Sequence, residues 1–209
     1  MHIEPGYISA VKIAAANIGA AALFASQARH LVLRPQLIAR TLIATLFFSV
    51  FMEGFFMHVG PSELHFIGAM PIYLLFGFVP TLLGFGLGLL LQGLLFHPTD
   101  MLHLGVNALS LAVPLVALHA TLGRHIEKLD VRTILKLDAA YYAGVTLMVG
   151  FWLSVGEVAT PFSAWLTFAA SYLVIVACEP LLTYAAVKLM QRHADRPLVR
   201  LCFDLRAIA

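Results

Sequence analysis

The stretch FIGAMPIYLLFGFVPTLLGFGLGLLLQGLLFH, residues 66–97, decides the fold. Its 32 residues contain no Asp, Glu, Lys or Arg. A transmembrane helix needs about 20 apolar residues, within roughly 17–25. The run is therefore too long for one span and short for two, and Pro71 and Pro80 lie inside it. We divide it near residues 78–80 into two short membrane-spanning segments.

The rest of the chain predicts five further spans and a polytopic membrane protein. Of the 209 residues, 61% are hydrophobic and 11% are charged, whereas soluble domains carry roughly 25% charged residues. We predict an all-α fold of about seven transmembrane helices, with residues 1–190 as a single transmembrane domain and residues 191–209 as a basic cytoplasmic tail. Its surroundings would be the lipid of the cell (inner or plasma) membrane, and no nucleic-acid partner is expected. The further spans are residues 7–26, 37–57, 104–122, 138–158 and 162–190.

The basic residues test this topology, because Lys and Arg concentrate in cytoplasmic loops. All but one of the 13 fall in residues 29–40, 124–136 and 188–206. Seven spans place these three segments on one side of the membrane, and six spans do not. We therefore expect the N-terminus outside and the C-terminus inside, with Lys12 as the exception.

Histidines collect on the predicted outer side, which carries almost no Lys or Arg. Five of the nine histidines lie there, and this asymmetry is the most informative feature of the sequence. They are His2, His58, His65, His97 and His103.

The first two residues could form a chelate. The α-amine of Met1, together with the amide and imidazole nitrogens of His2, can close two fused rings on one metal ion. Such nitrogen sets suit Ni(II) and Cu(II), and Co(II) is also accommodated. We expect Met1 to be retained, because the next residue is large. The alternative is a histidine without function, but Pro5 and Gly6 would hold this segment at the membrane surface, which favours a metal site.

A second candidate lies in HVGPSELHFIGAM, residues 58–70. Gly60 and Pro61 predict a turn, and Ser62 is an expected N-cap for a helix that starts near His65. His65 would then face a ligand from the first helical turn. The alternative is an interfacial histidine exposed to water, and His58 is a weaker candidate for ligand contact.

A third candidate is HPTDMLHLGVN, residues 97–107. His97, Asp100 and His103 could bind an ion through nitrogen and oxygen. The residues favour a simpler alternative, a polar turn with Thr99 or Asp100 as the N-cap of the next helix. Asn107 lies one turn into an apolar span, where its amide needs a partner, so we expect it to steady a polar group nearby.

Several polar and small residues lie within the spans. The glycines in GFGLGLLLQG, residues 84–93, predict close helix contacts rather than a nucleotide loop, because no strand precedes them. Gln92 is expected to hydrogen-bond across helices, and Asn17 to do the same or to face the site. Glu53 and Asp138 lie near opposite span ends, where both could reach water. For Lys12 and Glu179 the sequence identifies no partner, although intramembrane charge favours function.

No enzyme is predicted. The sequence contains no G-x-x-x-x-G-K-[ST], H-E-x-x-H or G-x-S-x-G motif. If transport is driven by ATP, the hydrolysis must reside in partner subunits.

Three stretches resemble the substrate-binding membrane components of cobalt and nickel energy-coupling-factor transporters, the CbiM/NikM family. They are MHIEPG at residues 1–6, GPSELHFIGA at residues 60–69 and LLLQGLLFHPTDMLHLGVNALSL at residues 89–111. The resemblance covers residues 1–115, and the remainder resembles the family only as hydrophobic spans. It implies seven helical spans, a transmembrane scaffold with two ATPases as partners, and a small accessory membrane subunit.

The resemblance also implies the metal ligands. They are the amine of Met1, the amide and imidazole of His2, and the imidazole of His65, with Asn107 in support and with His58 and His103 as further candidates. Co(II) or Ni(II) would be the transported ion, and no cofactor is implied. The sequence departs from the family where HPTDMLH replaces a D-G-G turn and adds two histidines, where Glu63 adds a carboxylate, and where NALSL lacks a second Asn.

The interpretation is a component that captures Ni(II) or Co(II) outside and passes it inward. One alternative is a self-sufficient secondary permease for divalent metal, with Glu53, Asp138 and Glu179 as its ion relay. Another is an intramembrane metalloenzyme with His58, His65 and His103 as ligands, which the lack of a suitably spaced general base disfavours.

Overall fold

The computed structural model describes residues 6–59, 62–126 and 129–204, an all-α bundle that includes one β-hairpin. Predictions on Met1, His2, Gly60, Pro61, Lys128 and Arg206 fall outside the described residues. Two 3₁₀ turns, Pro98–Met101 and Gly123–His125, precede and follow the fifth helix. The elements are α1 Ala10–Leu33, α2 Gln36–Gly54, β1 Phe56–Val59, β2 Ser62–His65, α3 Ala69–Phe76, α4 Phe78–Leu95, α5 Leu104–Thr121, α6 Val131–Ser154, α7 Phe162–Arg192 and α8 Pro197–Cys202.

Six helices of the described chain are long and apolar enough to cross a membrane: α1, α2, α4, α5 (continued to His125), α6 and α7. The third predicted span is not a full helix, because α3 has only eight residues. All eight are buried, so α3 lies inside the protein rather than against lipid.

The segment between α2 and α4 still runs from one end of the bundle to the other. At one end, which we name the hairpin end, Gln92 near the end of α4 donates to Glu53 of α2 at 2.8 Å. At the other, the tail end, the backbone N–H of Asp204 donates to the carbonyl of Leu75 at 2.6 Å, and Arg40 of α2 lies 3.6 Å from the Asp204 carboxylate. The segment therefore joins the hairpin end to the tail end, although its helix, α3, is too short to cross a membrane by itself.

Glycines delimit α3. Gly68 (φ +63°) precedes the helix and Gly77 (φ +87°) follows it, and both adopt the left-handed region that other residues rarely enter. Pro71 and Pro80 each lie in the first turn of a helix, where a missing N–H costs nothing. The predicted division of the long apolar run is thus confirmed, and the break lies at Gly77.

The expected helix start near His65, with Ser62 as its N-cap, is wrong. Ser62–His65 is strand β2, which pairs antiparallel with β1 in the register Phe56↔His65 and His58↔Glu63. The helix begins at Ala69 instead, with Gly68 as its N-cap. The two strands are joined by only two residues, which is the length typical of a hairpin turn.

Close packing of α4 against α2 confirms that its glycines permit close helix contact. A Cβ on Gly84 would lie 2.9 Å from the Cβ of Ala44, and a Cβ on Gly88 would overlap the ring of Phe48. Both partners belong to α2, so the small residues let these two helices approach closely, as expected in membranes. The predicted hydrogen bond of Gln92 across helices, to Glu53, is also confirmed.

The start of α5 is capped by another helix. The N-cap residue is His103, not Thr99 or Asp100 as expected, and its side chain makes no capping bond. Instead the Oδ1 of Asn17 in α1 accepts a hydrogen bond from the backbone N–H of Gly105 at 2.6 Å. Its Nδ2 lies 3.4 Å from the carbonyl of Leu102.

The close approach of α1 to Gly105 gives a test of this packing. A Cβ at Gly105 would overlap the backbone of Asn17, which cannot rotate away, so we expect Gly105→Ala to cost about 1–3 kcal/mol. Thermal unfolding in detergent should show a midpoint lower by about 3–10 °C. Gly54→Ala is the matched control, because nothing lies within 4 Å of its added Cβ. Equal midpoints for the two variants would contradict the assigned contact.

Candidate functional site

One face of the β-hairpin carries most of the predicted site residues. Phe56, His58, Glu63 and His65 share this face, because side chains alternate along each strand. One oxygen of Glu63 lies 3.1 Å from His58 Nδ1, and the other lies 3.1 Å from His65 Nε2. The carboxylate that the sequence adds to this loop therefore bridges the two histidines.

His65 is held in one orientation. Its side chain is 5% exposed, and its ring stacks on Phe56 with centroids 5.9 Å apart. Nδ1 lies 3.1 Å from the carbonyl oxygen of Met52, which can only accept, so Nδ1 is the donor. Nε2 lies 3.1 Å from a Glu63 oxygen, and it could bind a metal ion only when it carries no proton.

His103 is buried at the start of α5. The residue is 1% exposed, and neither ring nitrogen has a hydrogen-bond partner among the described residues. Burial lowers the pKa of His103, and the charge of Asp100 partly offsets that shift. A neutral imidazole in this place has a nitrogen lone pair free to accept a hydrogen bond or bind a cation.

The other predicted ligands at this end are dispersed. The side chain of His97 is 45% exposed and lies 3.7 Å from Glu53, so it does not join Asp100 and His103. His58 is mostly exposed. Among the residues that the structure describes, no group of three or more His, Cys, Asp or Glu is arranged to hold a metal ion.

The beginning of the described chain is fixed at the hairpin end. The carbonyl of Tyr7 accepts from the N–H of Glu157 at 2.8 Å, and Ile8 packs in a buried cluster with Val106 and Trp152. Asn107, which is 1% exposed, directly follows Val106 in α5.

Lys12, the exception to the charge asymmetry, has a partner. Its Nζ lies 2.7 Å from Glu157 Oε1 and 2.7 Å from the carbonyl of Val155. The hydrogen bond and the charge of Lys12 lower the pKa of the exposed Glu157 carboxyl. The basic residue at the hairpin end is therefore neutralised locally.

The three carboxylates proposed as an ion relay are not brought together. Glu53 contacts Gln92 and His97 at the hairpin end. Asp138 was expected to reach water and does not, because it is 0% exposed in the packed α6–α7 contact. It faces Glu179, which is 1% exposed. Of the three carboxylates, only Asp138 and Glu179 lie together.

Comparison with known families identifies the chain. The family described as CbiM, cobalt uptake substrate-specific transmembrane region, matches residues 2–197. The chain belongs to the CbiM family. The match extends well past residue 115, so the C-terminal spans of this CbiM protein belong to the family as well. No curated protein and no solved structure matches the chain significantly.

Membership fixes the broad function. CbiM proteins are membrane components of cobalt uptake and not an enzyme family, and this chain is a multi-pass membrane protein.

The buried imidazole of His103 predicts a pH dependence. Burial places its folded-state pKa below the unfolded value of about 6.5. As the pH falls through 6.5, the unfolded chain therefore binds the proton first, and the free energy of unfolding decreases by at most about 1.4 kcal/mol per pH unit. We expect His103→Gln to be less sensitive to acid between pH 7 and 5 than the wild type, as measured by thermal unfolding.

His97→Gln is the matched control for that measurement, because the side chain of His97 is 45% exposed. It should retain the wild-type pH dependence. If His103→Gln and His97→Gln lose stability equally as the pH falls, His103 is not a buried neutral imidazole.

Proposed function

We propose that this CbiM protein binds Co(II) or Ni(II) at the hairpin end and serves as the substrate-capture component of an uptake transporter. The observation that carries the proposal is the geometry of His65. Its ring is buried, its Nδ1 donates to the Met52 carbonyl, and its Nε2 is directed toward the hairpin face. Metal-ligating histidines commonly donate from one ring nitrogen to a backbone carbonyl or a carboxylate and present the other nitrogen to the ion.

The proposed ligands are the amine of Met1, the amide and imidazole nitrogens of His2, and Nε2 of His65. Such a four-nitrogen set suits Ni(II) and accommodates Co(II). The fixed position of Tyr7 and Ile8 at the hairpin end supports the proposal, because it places the start of the described chain at the end of the bundle that carries His65.

Three neighbouring residues would support the metal ligands. Asn107 and His103 offer buried polar atoms at the start of α5, the helix against which Ile8 packs. His58 would act through Glu63, to which its Nδ1 is paired. Glu63 itself would hold the ring of His65 and balance the positive charge of the ion.

Capture from the outer side and release to the inside are part of the proposal. The hairpin end would face outward, since the basic segments lie at the tail end. Because the sequence has no nucleotide-binding motif, ATP would be hydrolysed by partners of the energy-coupling-factor type. These would be a transmembrane scaffold, two ATPases and a small accessory membrane subunit, with the basic loop before α6 and the tail after α7 available for contact.

The ligand set is tested by metal analysis of purified protein. We expect the wild type to retain one Co(II) or Ni(II) ion per chain. His2→Ala, His65→Ala and a variant with one extra Gly before Met1 should each lose that ion, because each removes a nitrogen or displaces the amine. His125→Ala, an exposed histidine at the tail end, is the control and should retain it.

Equal metal content in all four variants would end the chelate proposal. Metal uptake by cells that lack the ATPase subunits, at the rate seen with them present, would instead support a self-sufficient permease.

The bridging carboxylate gives a graded prediction. Glu63→Gln removes the negative charge beside Nε2 of His65 but keeps the size of the side chain, so we expect metal affinity to fall about 10–100-fold. Competition with a chelator on the purified protein measures this change. Glu157→Gln removes a carboxylate at the same end that is paired with Lys12, and it should change affinity less than Glu63→Gln. Unchanged affinity in Glu63→Gln would show that the carboxylate does not act on the bound ion.

A further inference from the structure

The N-terminus of α3 is buried inside the protein, so its first N–H groups need acceptors there. Its N-cap residue, Gly68, offers no side chain. The acceptor is Glu179 of α7, which accepts from the backbone N–H of Met70 at 2.9 Å and also from that of Ala69. The other oxygen of Glu179 accepts a hydrogen bond from the hydroxyl of Tyr142. Glu179 therefore fixes the start of α3 to α6 and α7.

Asp138 of α6 adjoins this carboxylate. The residue is 0% exposed, and no N–H or O–H group of the described residues donates to either of its oxygens. The group that it faces across the α6–α7 contact is the carboxyl of Glu179. A hydrogen bond between two carboxyl groups requires a proton on one of them.

Electrostatic repulsion also requires a proton on one of the two carboxyl groups. Two adjacent carboxylates in a low-dielectric interior repel each other, and each also loses its hydration. The groups that donate hydrogen bonds to Glu179 are a backbone N–H and a tyrosine hydroxyl, and neither carries a positive charge. The groups that surround the pair are the backbone of α3, Tyr141 and Tyr142 on α6, and Tyr172 on α7. None of these supplies a positive charge at neutral pH.

Two further polar groups line the same interior. Tyr141 lies three residues after Asp138, and Thr183 lies four residues after Glu179, so each shares a helix face with its carboxyl. Both residues are 0% exposed, and neither hydroxyl has a hydrogen-bond partner among the described residues. Buried polar atoms without partners are rare in folded proteins, and these two lie on the helix faces that carry the carboxyl pair.

We propose that Asp138 and Glu179 bind one proton between them, and that this protonated pair anchors the N-terminus of α3. Asp138 carries the proton and donates it to Glu179. Glu179 keeps its negative charge, which the two N–H groups of α3, the hydroxyl of Tyr142 and the positive end of the helix dipole stabilise. The ligand of this site is the proton, and a sodium ion held by the carboxyls and hydroxyls is the alternative that the test must separate.

The contact of Glu179 with α3 also positions His65, a consequence that rests on the proposed function. Only Phe66, Ile67 and Gly68 separate His65 from the first residue of α3. Glu179 thus fixes the chain immediately after the proposed metal ligand, and Asp138 acts on the metal site through it. Both are positioning residues in this scheme, since neither touches the ion.

Infrared spectroscopy of the full-length protein in nanodiscs tests the proton directly. We expect a C=O stretching band of a protonated carboxylic acid at pH 7 that is absent in Asp138→Asn. The band should persist in Glu157→Gln, which alters an exposed carboxylate. It should also be the same in sodium and in choline buffers. No such band in the wild type, or a band that sodium removes, would overturn the proposal.

Thermal unfolding tests the anchor. Asp138→Asn keeps a neutral donor to Glu179 and should retain a midpoint close to that of the wild type. Asp138→Ala leaves Glu179 without that donor and should lower the midpoint by several degrees. Equal midpoints for the two variants would contradict the anchoring role. Neither measurement uses metal, so a failure of the metal-binding proposal would leave these results unchanged, and the reverse also holds.

Discussion

The fold depends on satisfying the backbone polar groups of one non-helical crossing. Irregular backbone at membrane depth is tolerated only where protein or water replaces the missing hydrogen bonds. Between α2 and α4 three devices do this: the pairing of β1 with β2, the acceptance of the first N–H groups of α3 by Glu179, and the bond from Asp204 to the carbonyl of Leu75. Each device draws on a different part of the chain, and together they allow a crossing that α3 alone is too short to make.

That irregular crossing is also what presents His65. The hairpin stacks the ring of His65 on Phe56, with Nδ1 against the Met52 carbonyl and Nε2 against Glu63. The carboxylate of Glu63 reaches the same nitrogen because residues two apart on a strand share a face. The irregular backbone and the candidate binding site coincide because the β-hairpin brings His58, Glu63 and His65 to one face.

Hydropathy predicted the all-α membrane class, the length of the apolar run and its prolines predicted the break near residue 78, and small residues predicted the close packing around Gly84 and Gly88. They could not predict partners that are distant in sequence. Lys12 and Glu157 form an ion pair although 145 residues separate them. Asp138 is buried against Glu179 and does not reach water at the end of its helix. The hairpin was missed because strands of four residues carry little periodicity, although the two-residue connection at Gly60–Pro61 was an available signal.

The electrostatic asymmetry of the bundle favours a cation at the hairpin end. Among the described residues that end carries Glu53, Glu63, Asp100 and Glu157 against Lys12 alone, and Lys12 is already paired. A cleft lined by one sign of charge raises the local concentration of the opposite ion. The basic segments lie at the tail end, where they would direct insertion and where a divalent metal ion is repelled. The same distribution of charge that orients the chain in the membrane would therefore draw its substrate to one end and disfavour its retention at the other.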